Sequence, residues 1–160
     1  MIKNLIELTK VRIGFLVLMT TVIGFYLGSN GDIIYDLLIF TVAGTLMSST
    51  GASVLNNVFE VDNDSKMDRT KHRVLPTKKV SKTFALFLGI FLIISGLITL
   101  YFKVNLLTTI LSFVTITLYL FIYTPLKQIS WLNTSVGAIP GAIPPLGGWT
   151  AATNQLELGG

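Results

Sequence analysis

The chain contains no cysteine, so neither a disulfide framework nor a thiolate metal centre is open to it. Charge is scarce as well. Only 12% of its 160 residues are charged, whereas a soluble domain carries about 25%. That scarcity excludes an ordinary globular surface. No small-residue cleavage site follows the first apolar run, and the run is too long for a secretion-signal core, so it reads as a retained span. Internal repeats and low-complexity tracts are also missing. Apolar side chain is what the sequence has in quantity: 51% of residues are hydrophobic and the mean hydropathy is +0.70. Length alone would permit one soluble domain, but this composition describes an integral membrane protein.

Five apolar runs, roughly 13–27, 33–59, 83–102, 105–123 and 132–152, approach the ~20 residues that cross a hydrocarbon core as a helix. They predict an all-α, polytopic transmembrane bundle, with 1–160 forming a single domain in the lipid bilayer and 60–82 forming a loop that carries the polar motif. The first run is short, and Lys10 and Arg12 can snorkel to extend it. Lys3, Lys10 and Arg12 precede the first run, seven cations from Lys66 to Lys82 separate the second from the third, and Lys127 separates the fourth from the fifth. Eleven of the twelve cations therefore lie on alternate loops, leaving Lys103 on the other side. By the positive-inside rule those loops and the N-terminus are cytoplasmic, in a multi-pass protein of the inner (cytoplasmic) membrane. Topology thus accounts for the net charge of +4, and nucleic acid is not expected as a partner.

The fifth run is unusual, because 137–148 holds three prolines and four glycines. Proline removes a helix donor, so the segment must be buried among helices or line a cavity. Two readings follow: a kinked helix packed by close backbone contact, or a broken helix bordering a substrate cavity. Thr153 to Glu157 then form a polar loop.

The densest polar information lies in 56–73, where amides and carboxylates are followed closely by cations at a membrane boundary. On a helix at ~100° per residue, Ser49, Ser53, Asn56, Glu60 and Asp64 fall within an arc of about 80°. Small residues earlier in the same run (Ala43, Gly44, Ser48, Gly51, Ala52) permit close helix packing. Carboxylates crowded at a low-dielectric boundary favour a cation, and oxygen donors select Mg²⁺ or Ca²⁺. Mg²⁺ binds through one or two carboxylates plus substrate phosphates, and Arg69 and Arg73, themselves four apart, suit phosphate oxygens. Asp62 points the opposite way unless the helix frays before it. The bland alternative is a helix end capped by acids beside cations that merely obey topology. It explains the cations better than it explains the aligned acids.

These residues carry a resemblance. Asn56-Asn57-x-x-Glu60-x-x-x-Asp64, followed by Arg69-Thr70-x-x-Arg73, resembles the first acidic motif of the intramembrane prenyltransferases, N-(D/N)-x-x-D-x-x-x-D with R-T-x-x-R. The double Asn, Asp62 and the Lys66-Met67 pair are most similar to that family's haem branch. Leu8-Thr9-Lys10-Val11-Arg12 resembles the family's L-T-K-P-R, and Tyr123-Thr124-Pro125-Leu126-Lys127 with Asn133 to Pro145 resembles its fourth and fifth helices. The resemblance implies transfer of a farnesyl group from farnesyl diphosphate to haem b, making haem O for terminal oxidases. It implies Mg²⁺ held by Asn56, Glu60 and Asp64, with Asp62 as a further donor. Lys66, Arg69 and Arg73 would bind the diphosphate, with Arg12 and Lys127 second in rank on the same face. Glu60 stands where the family has Asp, and Val11 where it has Pro. The family has about nine spans and a second acidic motif. This sequence shows five spans and no second motif, so it is expected to be an inactive N-terminal portion that lacks its C-terminal partner half.

Other readings stay open: an intramembrane polyprenyltransferase acting on an aromatic acid or quinone precursor, a cation transporter, or a non-catalytic membrane subunit. His72 reads as a solvated surface histidine, and Tyr119, Tyr123 and Trp131 as interfacial aromatics.

Overall fold

The computed structural model describes residues 2–127 and 133–156. In chain order the elements are α1 (Ile2–Thr9), α2 (Val11–Gly28), α3 (Tyr35–Asp64), α4 (Lys82–Lys103), α5 (Leu106–Thr117), a π-helical stretch Leu118–Tyr123, α6 (Thr124–Leu126) and α7 (Asn133–Thr153). No strand occurs among the described residues. The stretches Val11–Gly28, Tyr35–Asp64, Lys82–Lys103 and Leu106–Leu126 are long and apolar enough to cross a membrane. The fifth expected span folds as the 21-residue α7 but is not among those four, because its glycines, prolines and hydroxyls dilute its hydropathy. Its expected first residue, Leu132, lies outside the described residues, as do Trp131 and Glu157.

α3 is the spine of the bundle. Its 30 residues extend about 45 Å, against a hydrocarbon thickness of about 30 Å. The apolar pattern ends at 59, yet the helix continues through Asp64, so its last turns carry the acidic stripe beyond the apolar run. α4 packs along one side of α3, while α2, α5 and α7 stand around its other side. Two apolar clusters fix the frame. Leu8, Val54, Val58, Val74, Leu75 and Ala85 tie α1 and the loop after α3 to the α3–α4 pair, and Ala52, Leu55, Ile116 and Leu120 join α3 to α5. α1 is an element the apolar pattern did not show. It is separated from α2 by Lys10, whose left-handed backbone (φ 49°, ψ 50°) breaks the helical path.

Helices in lipid gain little from apolar burial against one another, so they associate through close backbone contact. α3 and α4 meet at glycines, and a Cβ on Gly51 would lie 2.6 Å from the Gly89 carbonyl oxygen. α2 and α7 interlock more tightly still: a Cβ on Gly24 would collide with the Pro145 carbonyl, and one on Gly148 with the Thr21 carbonyl. α7 remains helical from Asn133 to Thr153 despite Pro140, Pro144 and Pro145, so the broken-helix reading is not what forms. The prolines deprive the carbonyls four residues earlier of their helical donors, and Pro140, Gly141 and Pro144 face an internal cavity. Asn105 secures the far end, accepting from Thr108 N at 2.8 Å and donating to the Thr150 carbonyl at 2.8 Å. Lys103, the lone cation on its side, lies 5.4 Å above the Phe40 ring.

Gly148→Leu is expected to lower the thermal unfolding midpoint in detergent strongly, by overpacking worth about 1–3 kcal/mol or more. Gly14→Ala, which meets nothing within 4 Å, is expected to leave the midpoint unchanged.

Candidate active site

The last three turns of α3 carry side chains that the bundle buries although they are polar: Asn56, Asn57, Glu60 and Asp64. Buried charge persists only when paired, and each partner comes from a different segment. Arg73, in the loop after α3, donates to Asp64 Oδ2 at 2.7 Å. Lys127, just past α6, reaches Glu60 Oε1 at 3.2 Å. Lys10, between α1 and α2, donates to Asn56 Oδ1 at 2.7 Å. Burial lowers the Lys10 amine to about 8, with the nearby Glu60 carboxylate opposing that shift.

The amide of Asn56 is held from both ends. Its Nδ2 donates to Thr124 Oγ1 at 2.9 Å, and that hydroxyl donates onward to the Tyr119 carbonyl at 2.7 Å. The π-helical turn makes this geometry possible. Pro125 lacks an N–H and crowds the carbonyl four residues back, and the widened turn before it accommodates the ring while bringing Thr124 against α3. Asn57 donates its amide to the Leu8 carbonyl at 2.8 Å, docking α1, while its Oδ1 is buried without a partner among the described residues. The loop closes on the same corner: Thr70 Oγ1 donates to the Asp64 carbonyl at 3.0 Å, and Val74 N donates to Glu7 Oε1 at 3.2 Å.

This corner is the mouth of a cavity of about 920 Å³ that runs between α2, α3, α5 and α7. Ser49, Ser53, Asn56 and Asp64 of the acidic stripe line it, together with Lys10, Arg69, Arg73 and Lys127. Deeper in, the wall is mainly apolar, with Val17, Leu111 and Ile116. Tyr119 and Tyr123 also line it, stacked with ring centroids 5.6 Å apart, so they face the cavity and are not simply interfacial aromatics. Gly137 leaves the space that the Tyr123 ring occupies.

Several expected residues lie elsewhere. Because α3 stays helical through Asp64, Asp62 faces outward, 3.8 Å from Lys82, with both side chains exposed. Lys66 and Arg12 are exposed and do not line the cavity, and His72 is exposed as well. Glu60 does not line it directly; its carboxylate meets the cavity wall through Lys127. Lys10, Thr124 and the two tyrosines were missed as site residues. The signal for Lys10, Thr124 and Tyr123 was membership of the Leu8–Arg12 and Tyr123–Lys127 segments, and Tyr119, outside both, carried none beyond being aromatic.

Among the described residues no three acidic or histidine side chains form a self-sufficient metal cage. The donors do fit a metal shared with phosphate. Two carboxylates and an amide oxygen stand on one stripe, with cations close enough to trade carboxylate for phosphate oxygens. The arrangement can therefore hold a long apolar ligand with an anionic end at the mouth.

The chain is 44% identical over 152 residues to the mitochondrial protoheme IX farnesyltransferase of Arabidopsis thaliana, covering 94% of this chain and 35% of that one. It is 40% identical to the protoheme IX farnesyltransferase of Solibacter usitatus, covering 96% and 56%, and 42% identical to the human mitochondrial protein, covering 97% and 35%. The chain thus spans about a third to a half of the length of these relatives. A solved structure described as digeranylgeranylglyceryl phosphate synthase in membranes shares the fold, with a TM-score of 0.73 at 21% identity, over 89% of this chain and 53% of that one. Residues 17–159 match the UbiA prenyltransferase family, and the chain belongs to that family.

Proposed function

We propose that this chain forms the diphosphate-binding part of a Mg²⁺-dependent intramembrane prenyltransferase that moves a farnesyl group from farnesyl diphosphate to haem b. The observation that carries the proposal is the buried Asn56–Glu60–Asp64 stripe, ringed by Lys10, Arg73 and Lys127 at the mouth of a mainly apolar cavity. The acceptor and donor rest on the relatives' name, protoheme IX farnesyltransferase. The distribution of cations along the sequence favours a cytoplasmic mouth.

In this reading Asn56, Glu60 and Asp64 hold Mg²⁺, which would neutralise charge on the diphosphate when bound. Arg73 grips the phosphate oxygens as a two-pronged donor, and Lys127 and Arg69 add charge at the same end. Allylic C–O cleavage builds negative charge on the leaving diphosphate, so cations held there in advance lower the barrier. Tyr119 and Tyr123 line the cavity where the allylic cation would develop, and their aromatic rings suit a nearby positive charge. The apolar depth houses the isoprenoid tail and keeps water from the cation. A cation-carrier reading is less well supported, because the chain's own Lys127 and Arg73 already occupy the carboxylates.

In the full-length protein, Asp64→Asn is expected to reduce farnesyl transfer at saturating Mg²⁺ by about 10²–10³-fold; a wild-type rate would remove the metal role. Arg73→Ala is expected to weaken farnesyl diphosphate binding about tenfold, and unchanged affinity in a folded variant would reject its assignment. Thr124→Val should raise the Mg²⁺ requirement by about tenfold, as loss of a supporting partner to a ligand does, with Thr124→Ser restoring it. Product formed from an aromatic acid and not from haem b would overturn the proposed acceptor.

A further inference from the structure

We propose that Lys10 is an internal stand-in for the divalent cation: its ammonium occupies the metal-binding oxygen of Asn56 and must be displaced when metal and diphosphate bind. The inference rests on the metal role proposed for Asn56. Lys10 Nζ lies 2.7 Å from Asn56 Oδ1, the oxygen left free once Thr124 engages Nδ2. An ammonium and a metal ion on one amide oxygen would stand about 4 Å apart, where two like charges repel strongly.

The charges at the mouth make the exchange conditional. Glu60 and Asp64 are matched by Lys127 and Arg73, which leaves Lys10 and Arg69 facing Glu7 at the mouth, with Lys10 the cation that sits on the Asn56 oxygen. A divalent cation arriving alone meets ligands that already hold cations, whereas one arriving with diphosphate brings anionic oxygens onto which those cations can move. The displaced ammonium has somewhere to go. Asn57 lines the cavity, its buried Oδ1 has no partner among the described residues, and the same side chain is anchored to the Leu8 carbonyl, two residues before Lys10. Lys10 therefore enforces joint loading, keeping metal off the site until diphosphate is present and then adding its charge to the diphosphate.

The test is Mn²⁺ binding by the full-length protein in detergent, read by electron paramagnetic resonance with and without inorganic pyrophosphate. Lys10→Met is expected to bind Mn²⁺ alone about tenfold more tightly than wild type, and to bind pyrophosphate without metal, titrated by calorimetry, about tenfold more weakly. Lys10→Gln, which retains a donor toward Asn56 without the charge, carries the same expectation should the Met variant fail to fold. Lys10→Arg and the exposed control Lys79→Met should match wild type. Mn²⁺ affinity that is unchanged or weaker in both neutral variants overturns the inference. If wild type binds no Mn²⁺ even with pyrophosphate, or Asp64→Asn binds it equally well, the underlying metal assignment fails instead.

Discussion

The pairing of buried charge at the end of α3 constrains the rest of this structure. Glu60 and Asp64 sit where an unpaired carboxylate would cost several kcal/mol, and every cation that relieves them comes from another part of the chain. Arg73 requires the loop after α3 to fold back, Lys127 requires α6 to end beside α3, and Lys10 requires the path to break between α1 and α2. The left-handed backbone at Lys10 and the π-helical turn before Thr124 are the local adjustments that satisfy these demands. Three separate segments are thereby drawn to one corner, and the mouth of the cavity is their meeting point.

The same economy governs the membrane-embedded part. With little apolar driving force between helices in lipid, α2 and α7 hold together by backbone contact at Gly24 and Gly148, and α3 and α4 by contact at Gly51 and Gly89. The prolines of α7 forfeit helical donors where the helix faces the cavity. Glycine contacts frame the apolar depth, and a network of ion pairs sits at its opening.

Much of this was legible in the sequence, and the reasons are particular. Apolar length placed the spans close to where the helices form, and the 3.6-residue period placed Asn56, Glu60 and Asp64 together while turning Asp62 away. The apolar span ends at 59 because hydropathy follows apolar content, whereas the helix follows backbone hydrogen bonding on through charged turns to Asp64. α1 escaped notice because it buries only a narrow face, around Leu8, against neighbours distant in sequence. α7 was expected to be either packed or cavity-lining, and as a continuous helix it is both.

By itself, the sequence determined the helical, membrane-spanning class, the acidic stripe on α3 and the resemblance to a family, because these depend on composition and on relations within a few residues. Tertiary structure alone decided which cation meets which oxygen. Lys10 reaches Asn56 across 46 positions, Lys127 reaches Glu60 across 67, and Asn56 reaches Thr124 across 68. No periodicity encodes such distances. They are set by the angle at which helices pack and by the requirement that no buried charge be left alone.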